Sequence, residues 1–218
     1  MDGIFITFEG GEGSGKSTQI RLLSQALIQM GKNVLTTREP GGSPGAEEIR
    51  QLLVQGATDR WDDVTETLLF FAARRDHLIK KILPAIQAGQ VVLSDRFADS
   101  TMAYQGYGYG DNPYQQNLIK SLYKQVIGDF EPELTVLLDI PVEEGLKRSR
   151  RTDNTELRFE NKEITFHERL RAAYLTLAKQ NPERFFIVDA TQTPDTIHQQ
   201  IMQEIVRRNI LDLEKNHV

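Results

Sequence analysis

The sequence predicts an α/β fold in which helices cover both faces of a five-stranded parallel sheet. Short apolar runs recur along the chain, and each is followed by a turn and then by apolar residues at helical spacing. This alternation is typical of parallel sheets, because each connection between neighbouring strands must cross the sheet and usually carries a helix. A glycine-rich loop between the first run and the first helix also supports this fold. The predicted strands are Ile4–Phe8, Val34–Thr37, Val91–Ser94, Leu134–Asp139 and Phe185–Asp189.

The composition predicts one packed domain that spans residues 1–218. Of the 218 residues, 39% are hydrophobic and 26% are charged, which suits a globular α/β domain. The absence of cysteine excludes disulfides, thiolate metal sites and a cysteine nucleophile. A net charge of −5 argues against a nucleic-acid partner. Because the start lacks a signal-peptide pattern and no apolar run could span a membrane, we expect a cytoplasmic protein with no membrane partner.

The loop after the first strand fits the phosphate-binding pattern G-x-x-x-x-G-K-[ST] from Gly10 to Ser17. It stands between a strand and a helix, where small residues let successive backbone N–H groups surround an anion and the helix adds its positive end. Lys16 would contact the outer phosphates of a nucleotide, and Ser17 would offer its hydroxyl to Mg²⁺. The fold is therefore expected to be of the P-loop NTPase type. A purely structural glycine turn is the alternative.

The region after the second strand combines a loop with a long helix. The prolines and glycines of Thr37–Gly45 predict a loop at the edge of the sheet where ligands bind, and Thr65–Lys81 predicts a helix. On that helix Phe70 and Arg74 share a face, so they could stack on and hydrogen-bond to a planar base. The alternative, which spacing alone favours, places Phe70 in the core and Arg74 in solvent. His77, on the same helix, is interpreted as structural or solvated.

Two charged residues, Asp95 and Arg96, follow the third strand. Asp95 could contact Lys16 or a water bound to Mg²⁺, and Arg96 could face a phosphate. The alternating glycines and tyrosines at 106–110 predict a loop. Just before it, three polar side chains within about one helical turn predict a hydrogen-bonding wall, formed by Thr101, Tyr104 and Gln105.

Basic residues occupy four of the five positions from Lys147 to Arg151 in this acidic chain. Such a run is usually a solvated face, but downstream of a phosphate loop it can be a lid that brings arginines onto a transferring phosphoryl group. We therefore expect a short arginine-rich lid at about 147–161. The sequence from 161 does not complete the guanine-reading pattern N-K-x-D, because Ile164 stands where the aspartate should be. Helices at Phe166–Gln180 and Pro194–Arg208 complete the predicted fold.

Several motifs follow one another along nearly the whole chain: Phe8–Thr18, Arg38–Gly42, Phe70 with Ala72–Arg75, Asp95–Phe97, Ser100–Thr101 with Ala103–Gly106, and the basic lid. In this order and spacing they resemble the thymidylate kinase family of the bacterial type. The phosphate loop alone marks only a large superfamily, whereas the other motifs are specific. The resemblance implies phosphorylation of dTMP to dTDP in dTTP biosynthesis, with ATP as donor, Mg²⁺ as cofactor and a homodimeric assembly.

The resemblance also implies a set of binding residues. Phe70 would stack on thymine, Arg74 would donate to a thymine carbonyl, and Tyr104 would fill the space where a ribose 2′-hydroxyl projects. The ATP site would consist of Gly10, Gly11, Glu12, Gly13, Ser14, Gly15, Lys16, Ser17 and Thr18. The dTMP site would consist of Arg38, Arg50, Phe70, Arg74, Arg96, Thr101, Tyr104 and Gln105.

The expected catalytic residues include lid arginines, because this chain departs from the family pattern. Family members often carry an arginine in the phosphate loop or in the lid, and here the loop has none, so the lid must supply it, through Arg150 or Arg151 in the first place. The lid also lacks the aspartate that often precedes its arginine, so Arg148 and Arg158 are alternatives. The expected catalytic set is Lys16, Arg96, Arg150, Arg151 and Glu12, and the expected metal ligands are Ser17 and Asp95.

Two other functions fit the residues less well. A kinase for a different nucleoside monophosphate would share the mechanism and differ in its base pocket. A nucleotide-switch protein that binds a partner is the alternative from another class. The incomplete N-K-x-D pattern and the lid arginines count against the switch.

Overall fold

The computed structural model of the protein describes residues 3–57, 59–150 and 162–211. The predicted strands are confirmed to within one residue at each end. They are β1 Ile4–Glu9, β2 Val34–Arg38, β3 Val91–Asp95, β4 Leu134–Asp139 and β5 Phe185–Asp189.

The sheet is parallel throughout, with the order β2-β3-β1-β4-β5. The first strand is central, and its neighbours on either side are β3 and β4. Phe8 and Arg38 both lie opposite Asp95 in the register, so the carboxyl ends of β1, β2 and β3 meet at one edge. Ligands of open parallel sheets bind at this edge, and the phosphate loop leaves β1 there.

Helices cover both faces of the sheet, as the sequence predicts. Alternate residues of β1 point to opposite faces. Ile6 packs in one cluster with Leu23 and Ile201, whereas Phe5 packs in another with Phe71 and Ile119. The helices are α1 Lys16–Gln29, α2 Pro44–Val54, α3 Asp63–His77, α4 Leu83–Gln87, α5 Ala98–Thr101, α6 Pro113–Val126, α7 Val142–Ser149, α8 Ile164–Gln180 and α9 Pro194–Arg207.

Two π-helical segments, Leu78–Ile82 and Met102–Gly108, lie between these helices. The second contradicts the predicted loop at residues 106–108, whereas Tyr109 and Gly110 lie outside regular structure as predicted. A Cβ on Gly106 would stand 2.8 Å from the Met102 sulfur, and one on Gly108 would stand 2.6 Å from the Phe166 ring. The glycines therefore permit close helix packing.

The helices of the described residues include none that is long and apolar enough to cross a membrane. Most of the expected lid lies outside the described residues, because these stop at Arg150 and resume at Lys162.

Candidate active site

A cavity of about 710 Å³ opens at the carboxyl edge of the sheet. The phosphate loop from Glu12 to Thr18 forms one end, which we call the phosphate end. Phe70, Arg74 and Thr101 form the other, which we call the Arg74 end. Arg96 also lines the cavity and ion-pairs with Glu12 of the phosphate loop. One continuous cavity thus combines an anion-binding loop with a site suited to a planar group.

The phosphate loop is held closely against α7. Gly13 has a φ of 68°, and a Cβ there would stand 2.0 Å from the Gly145 carbonyl oxygen. A Cβ on Gly145 would in turn stand 2.6 Å from the Glu12 carbonyl oxygen. Glycine is therefore required at both positions for the backbones to approach. The first two loop residues, Gly10 and Gly11, do not line this cavity. They line a small neighbouring cavity.

Lys16 begins α1 and is buried at the phosphate end. Its Nζ donates to the carbonyl oxygens of Gly10 at 3.2 Å and Gly11 at 3.1 Å. Burial lowers the pKa of Lys16, and the neighbouring Arg96 lowers it further. A buried cation whose hydrogen bonds within the described part of the chain go to neutral carbonyl oxygens is well placed to receive an anionic phosphate.

Ser17 and Asp95 stand together at the same end. The Ser17 hydroxyl donates to a carboxylate oxygen of Asp95 at 3.1 Å. Hydroxyl and carboxylate oxygens are ligands that Mg²⁺ accepts, usually together with water and phosphate oxygens. The described residues contain no cluster of three or more acidic or histidine ligands. The donor set fits a metal held jointly with a nucleotide, because two protein oxygens alone do not complete its coordination.

Arg96 follows β3 in the left-handed backbone region, with a φ of 69°. One terminal nitrogen, Nη2, pairs with Glu12 at 2.8 Å. The other, Nη1, donates to the Gly10 carbonyl oxygen at 3.0 Å and to the hydroxyl oxygens of Ser100 at 3.2 Å and Tyr174 at 3.1 Å. An uncommon backbone conformation in a non-glycine residue, supported by this many contacts, is a feature of functional sites.

Glu12 and Tyr104 share this corner of the cavity. The Tyr104 hydroxyl donates to Glu12 at 2.8 Å, and the Arg96 guanidinium lies over the Tyr104 ring, 5.0 Å from its centre. Burial opposes ionisation of Glu12, but Arg96, Lys16 and the Tyr104 hydrogen bond outweigh it and lower the pKa of Glu12 to about 2. Glu12 is therefore a carboxylate throughout the neutral range.

Arg74 is 2% exposed and forms the floor of the Arg74 end. Its Nε pairs with buried Glu39 at 2.7 Å, and its Nη2 donates to the Phe97 carbonyl oxygen and the Thr101 hydroxyl. Its Nη1 has no hydrogen-bond partner among the described residues. The interpretation of Arg74 as solvated is wrong. Phe70 is half-buried and lines the cavity, so its placement in the core is wrong as well.

The neighbouring arginine points elsewhere. Arg75 is exposed and donates to the Val126 carbonyl oxygen at 2.7 Å. The register of α3 therefore turns Arg74, and not Arg75, towards the cavity.

The remaining predicted substrate residues also line the cavity. Arg38 is exposed and pairs with Glu47 at 3.1 Å. Arg50 is buried and donates to the Pro40 carbonyl oxygen. Gln105 is buried; its amide nitrogen donates to Glu66 at 2.8 Å, and its amide oxygen has no partner among the described residues.

The lid arginines are only partly described. Arg150 stands exposed just after the last residue of α7, and Arg151 and Arg158 lie outside the described residues. Arg148, on the last turn of α7, lines the cavity and donates to the Ala190 carbonyl oxygen at 2.8 Å. Of the lid candidates that can be located, Arg148 is the one on the cavity wall.

Sequence reasoning missed three buried residues around the site, namely Glu9, Glu39 and His77. Glu39 accepts from Arg74, and its other oxygen lies 3.1 Å from His77, whose second ring nitrogen is 2.7 Å from the Thr37 hydroxyl. A signal was present for the two glutamates, because an acidic residue at the end of a buried strand requires a partner. His77 carried no comparable signal.

Comparison with known proteins identifies the family. The thymidylate kinase family model matches residues 8–201. The chain is 53% identical to a thymidylate kinase from Caulobacter vibrioides, an alignment that covers 94% of this chain and 97% of that one. It is 50% identical to one from Ruegeria pomeroyi, over 89% and 90% of the two chains.

A solved structure supports the same conclusion. The crystal structure of thymidylate kinase from Ehrlichia chaffeensis superposes with a TM-score of 0.75 at 34% identity, covering 94% of this chain and 99% of that one. The chain therefore belongs to the thymidylate kinase family, and its activity is the phosphorylation of dTMP to dTDP.

Proposed function

We propose that this chain transfers the γ-phosphoryl group of ATP directly to dTMP, with ATP at the phosphate end of the cavity and the thymine base at the Arg74 end. The observation that carries the proposal is that both ends, and Arg96 with them, belong to one cavity. The acceptor is already an anionic phosphate oxygen, so the reaction needs no strong general base. Positioning and charge neutralisation are then the main contributions of the protein.

The phosphate chemistry falls to Lys16, Arg96 and the loop. Lys16 would exchange its carbonyl partners for phosphate oxygens, and Arg96 would grip the monophosphate of dTMP. Glu12 keeps Arg96 oriented and, as a carboxylate, can accept a hydrogen bond from the sugar 3′-hydroxyl. Mg²⁺, when bound, neutralises charge on the phosphate oxygens, and Ser17 and Asp95 are the residues that would hold it.

The Arg74 end of the cavity is suited to thymine. Nη1 of Arg74, which has no partner within the described ranges, is a charged donor that requires an acceptor, and thymine presents a carbonyl oxygen at C4. Phe70 offers a ring for stacking. The buried Gln105 and Thr101 supply further polar atoms along the base edge, and Tyr104 would stand beside C2′ of the sugar. Arg38 and Arg50 complete the substrate pocket.

A lid arginine would provide positive charge over the transferring group. Arg150 and Arg151 are the residues we propose, with Arg148 as the alternative that its position on the cavity wall supports. Replacing a transition-state arginine by alanine lowers kcat by about 10³ or more, while dTMP affinity should change much less. If the single variants and the double variant Arg150→Ala/Arg151→Ala keep near-normal kcat, the same substitution at Arg148 is the decisive measurement.

Assembly and location complete the proposal. We propose a single-domain protein that forms a homodimer in the cytoplasm. Leu52 on α2 and Leu68 on α3 are exposed apolar side chains that a partner subunit could cover. Sedimentation analysis that finds only monomers at micromolar concentration would exclude a stable dimer.

One assay tests the whole proposal. ATP consumption is measured with dTMP, dCMP, dUMP and ribo-TMP in turn, and the diphosphate product is identified. We expect dTDP as the main product, and chelation of Mg²⁺ should abolish its formation. ATP consumption that does not depend on any monophosphate would contradict direct transfer.

A further inference from the structure

Glu9, the last residue of β1, carries a completely buried carboxylate beside the active site. One oxygen, Oε1, accepts from the Phe97 backbone N–H at 2.8 Å. The other, Oε2, accepts from the hydroxyls of Ser100 at 2.6 Å and Tyr174 at 3.0 Å. These donors belong to three different parts of the fold: the residue after Arg96, helix α5 and helix α8. The carboxylate therefore connects the end of β1 to α5 and α8, the two helices that also contact Arg96.

The same two hydroxyl oxygens are partners of Arg96. Nη1 of Arg96 donates to Ser100 Oγ at 3.2 Å and to Tyr174 Oη at 3.1 Å. The two oxygens are also 2.8 Å apart, so one hydroxyl can donate to the other while that one donates to Glu9. In either arrangement both hydroxyl hydrogens point away from Arg96, and lone pairs of both oxygens face its guanidinium.

We propose that Glu9 is a positioning residue for Arg96. By taking up the hydroxyl hydrogens of Ser100 and Tyr174, it fixes both oxygens as acceptors, and these hold the guanidinium in the orientation that grips the acceptor phosphate. The inference rests on the proposed role of Arg96 in binding the dTMP phosphate. Glu9 itself is not among the residues that line the cavity, although two of its partners, Phe97 and Ser100, are.

An amide cannot replace the carboxylate in this arrangement. Glutamine at position 9 has one acceptor oxygen and one donor group. If its oxygen accepts from the Phe97 N–H, its amide N–H faces the hydroxyls of Ser100 and Tyr174. One of these hydroxyls must then point its hydrogen towards Arg96, so that a hydroxyl donor opposes a guanidinium donor. If its oxygen faces the hydroxyls, its amide N–H opposes the Phe97 N–H. Glu9→Gln therefore changes almost no volume and still disrupts the orientation of Arg96.

Retaining this group is costly for the fold. Burial, with the nearby Asp99, raises the pKa of Glu9 to about 7, although Arg96 and the hydrogen bonds from Ser100 and Phe97 oppose the rise. A carboxylate that must be desolvated destabilises the folded state. A positioning role explains why an ionisable acceptor occupies this place.

The test separates grip on the phosphate from binding of the rest of the substrate. Dissociation constants for dTMP and for thymidine, which lacks the phosphate, are measured by calorimetry at about pH 8, where the Glu9 carboxyl is mostly ionised. For Glu9→Gln we expect the dTMP dissociation constant to rise about tenfold or more, as for the loss of a charge-assisted hydrogen bond, and that of thymidine to change by less than about twofold. Equal weakening of both ligands, or of neither, would overturn the inference.

Glu133 provides the matched control. The residue is exposed, but partial desolvation of its carboxyl group raises its pKa, and the carboxyl also accepts a backbone N–H of β1, from Phe5 at 2.7 Å. It is not part of the cavity lining. Glu133→Gln should leave the dTMP-to-thymidine affinity ratio unchanged. An affinity ratio that falls as much as in Glu9→Gln would mean that any carboxylate hydrogen-bonded to the backbone of β1 has the effect, which would also overturn the inference.

Two further variants complete the design. Tyr174→Phe keeps the ring packing and removes one of the two hydroxyls through which Glu9 would act, so it should reproduce the selective loss of dTMP affinity. If Glu9→Gln does not fold, an unchanged dTMP-to-thymidine affinity ratio in Tyr174→Phe would overturn the inference. Arg96→Lys tests the premise. If Arg96→Lys lowers the ratio of dTMP affinity to thymidine affinity and neither Glu9→Gln nor Tyr174→Phe does, then Arg96 binds the phosphate and the inference about Glu9 is wrong. If Arg96→Lys leaves the ratio unchanged, the proposed role of Arg96 itself fails.

Discussion

Replacing Arg74 with methionine is expected to lower the use of dTMP strongly and to narrow the preference for dTMP over dCMP. Arg74 is the buried guanidinium at one end of the cavity, and its Nη1 has no partner among the described residues. A thymine carbonyl oxygen at C4 would satisfy that donor. Cytosine carries an amino group at C4, which would oppose it, donor against donor.

The magnitude follows from the contacts. One hydrogen bond from a charged donor contributes about 1.5–3 kcal/mol, which corresponds to roughly 10-fold to 150-fold in kcat/KM for dTMP. The mismatch with cytosine costs a similar amount, so the wild type should prefer dTMP over dCMP by at least about tenfold. Methionine makes neither contact. The dTMP-to-dCMP ratio should therefore fall towards the level that stacking on Phe70 alone provides.

Stability must be measured alongside activity, because Arg74 also pairs with buried Glu39 at 2.7 Å. Removing one partner of a buried ion pair destabilises a protein by about 3–5 kcal/mol. Arg74→Lys keeps a cation beside Glu39 and loses the second arm of the guanidinium. It should therefore lower the dTMP-to-dCMP ratio of kcat/KM with a smaller loss of stability than Arg74→Met.

The assay is kcat/KM for dTMP and dCMP, with thermal unfolding of each variant. Arg75→Met is the matched control, because Arg75 is exposed and donates to the Val126 carbonyl oxygen away from the cavity. It should leave the ratio unchanged. A wild type that prefers dCMP, or a ratio that changes only in Arg75→Met, would refute Arg74 as the residue that reads the base.

Three further changes have distinct expected results. Lys16→Ala should abolish phosphoryl transfer while thermal unfolding stays nearly unchanged, and normal turnover by this variant would contradict its role at the phosphates. In Gly145→Ala the added methyl would stand 2.6 Å from the Glu12 carbonyl oxygen. This variant should raise the KM for ATP and destabilise the fold by about 1–3 kcal/mol. An unchanged KM for ATP would show that α7 moves to relieve the clash and the phosphate loop does not. The pKa of Glu9 is raised from 4.5 to about 7 in the folded chain, so the folded state binds the proton more tightly than the unfolded state. Relative to Glu9→Gln, unfolding free energy should therefore fall by about 3 kcal/mol between pH 4.5 and 7 and stay level above pH 7, whereas a rise would mean that Glu9 is ionised below pH 5.

Local patterns were sufficient for the strands and for the phosphate loop. An apolar run bounded by turns predicts a buried strand because burial depends on composition over a few neighbouring residues. The spacing from Gly10 to Ser17 predicts an anion site because every group in it belongs to one short segment of backbone. The strands are confirmed to within one residue at each end, and the loop lies between β1 and α1 as predicted.

Local patterns were misleading where packing between elements decided the conformation. The glycines at 106 and 108 indicated a loop, yet they lie in a π-helical segment because their missing side chains admit Met102 and Phe166. Spacing on α3 favoured a solvated Arg74 because it gave no information about what faces the helix. Glu39, thirty-five residues earlier in the chain, is the partner that makes burial of this arginine possible.

The sequence by itself determined the parallel sheet, the phosphate loop and, through its ordered motifs, the thymidylate kinase family. The tertiary structure decided which charges meet. Glu9 and Tyr174 are 165 residues apart, and their hydrogen bond exists because the fold packs α8 against the carboxyl end of β1. Hydrogen bonds act over about 3 Å, so the partners of Arg96, Arg74 and Glu9 depend on how distant segments are brought together, which no local pattern encodes.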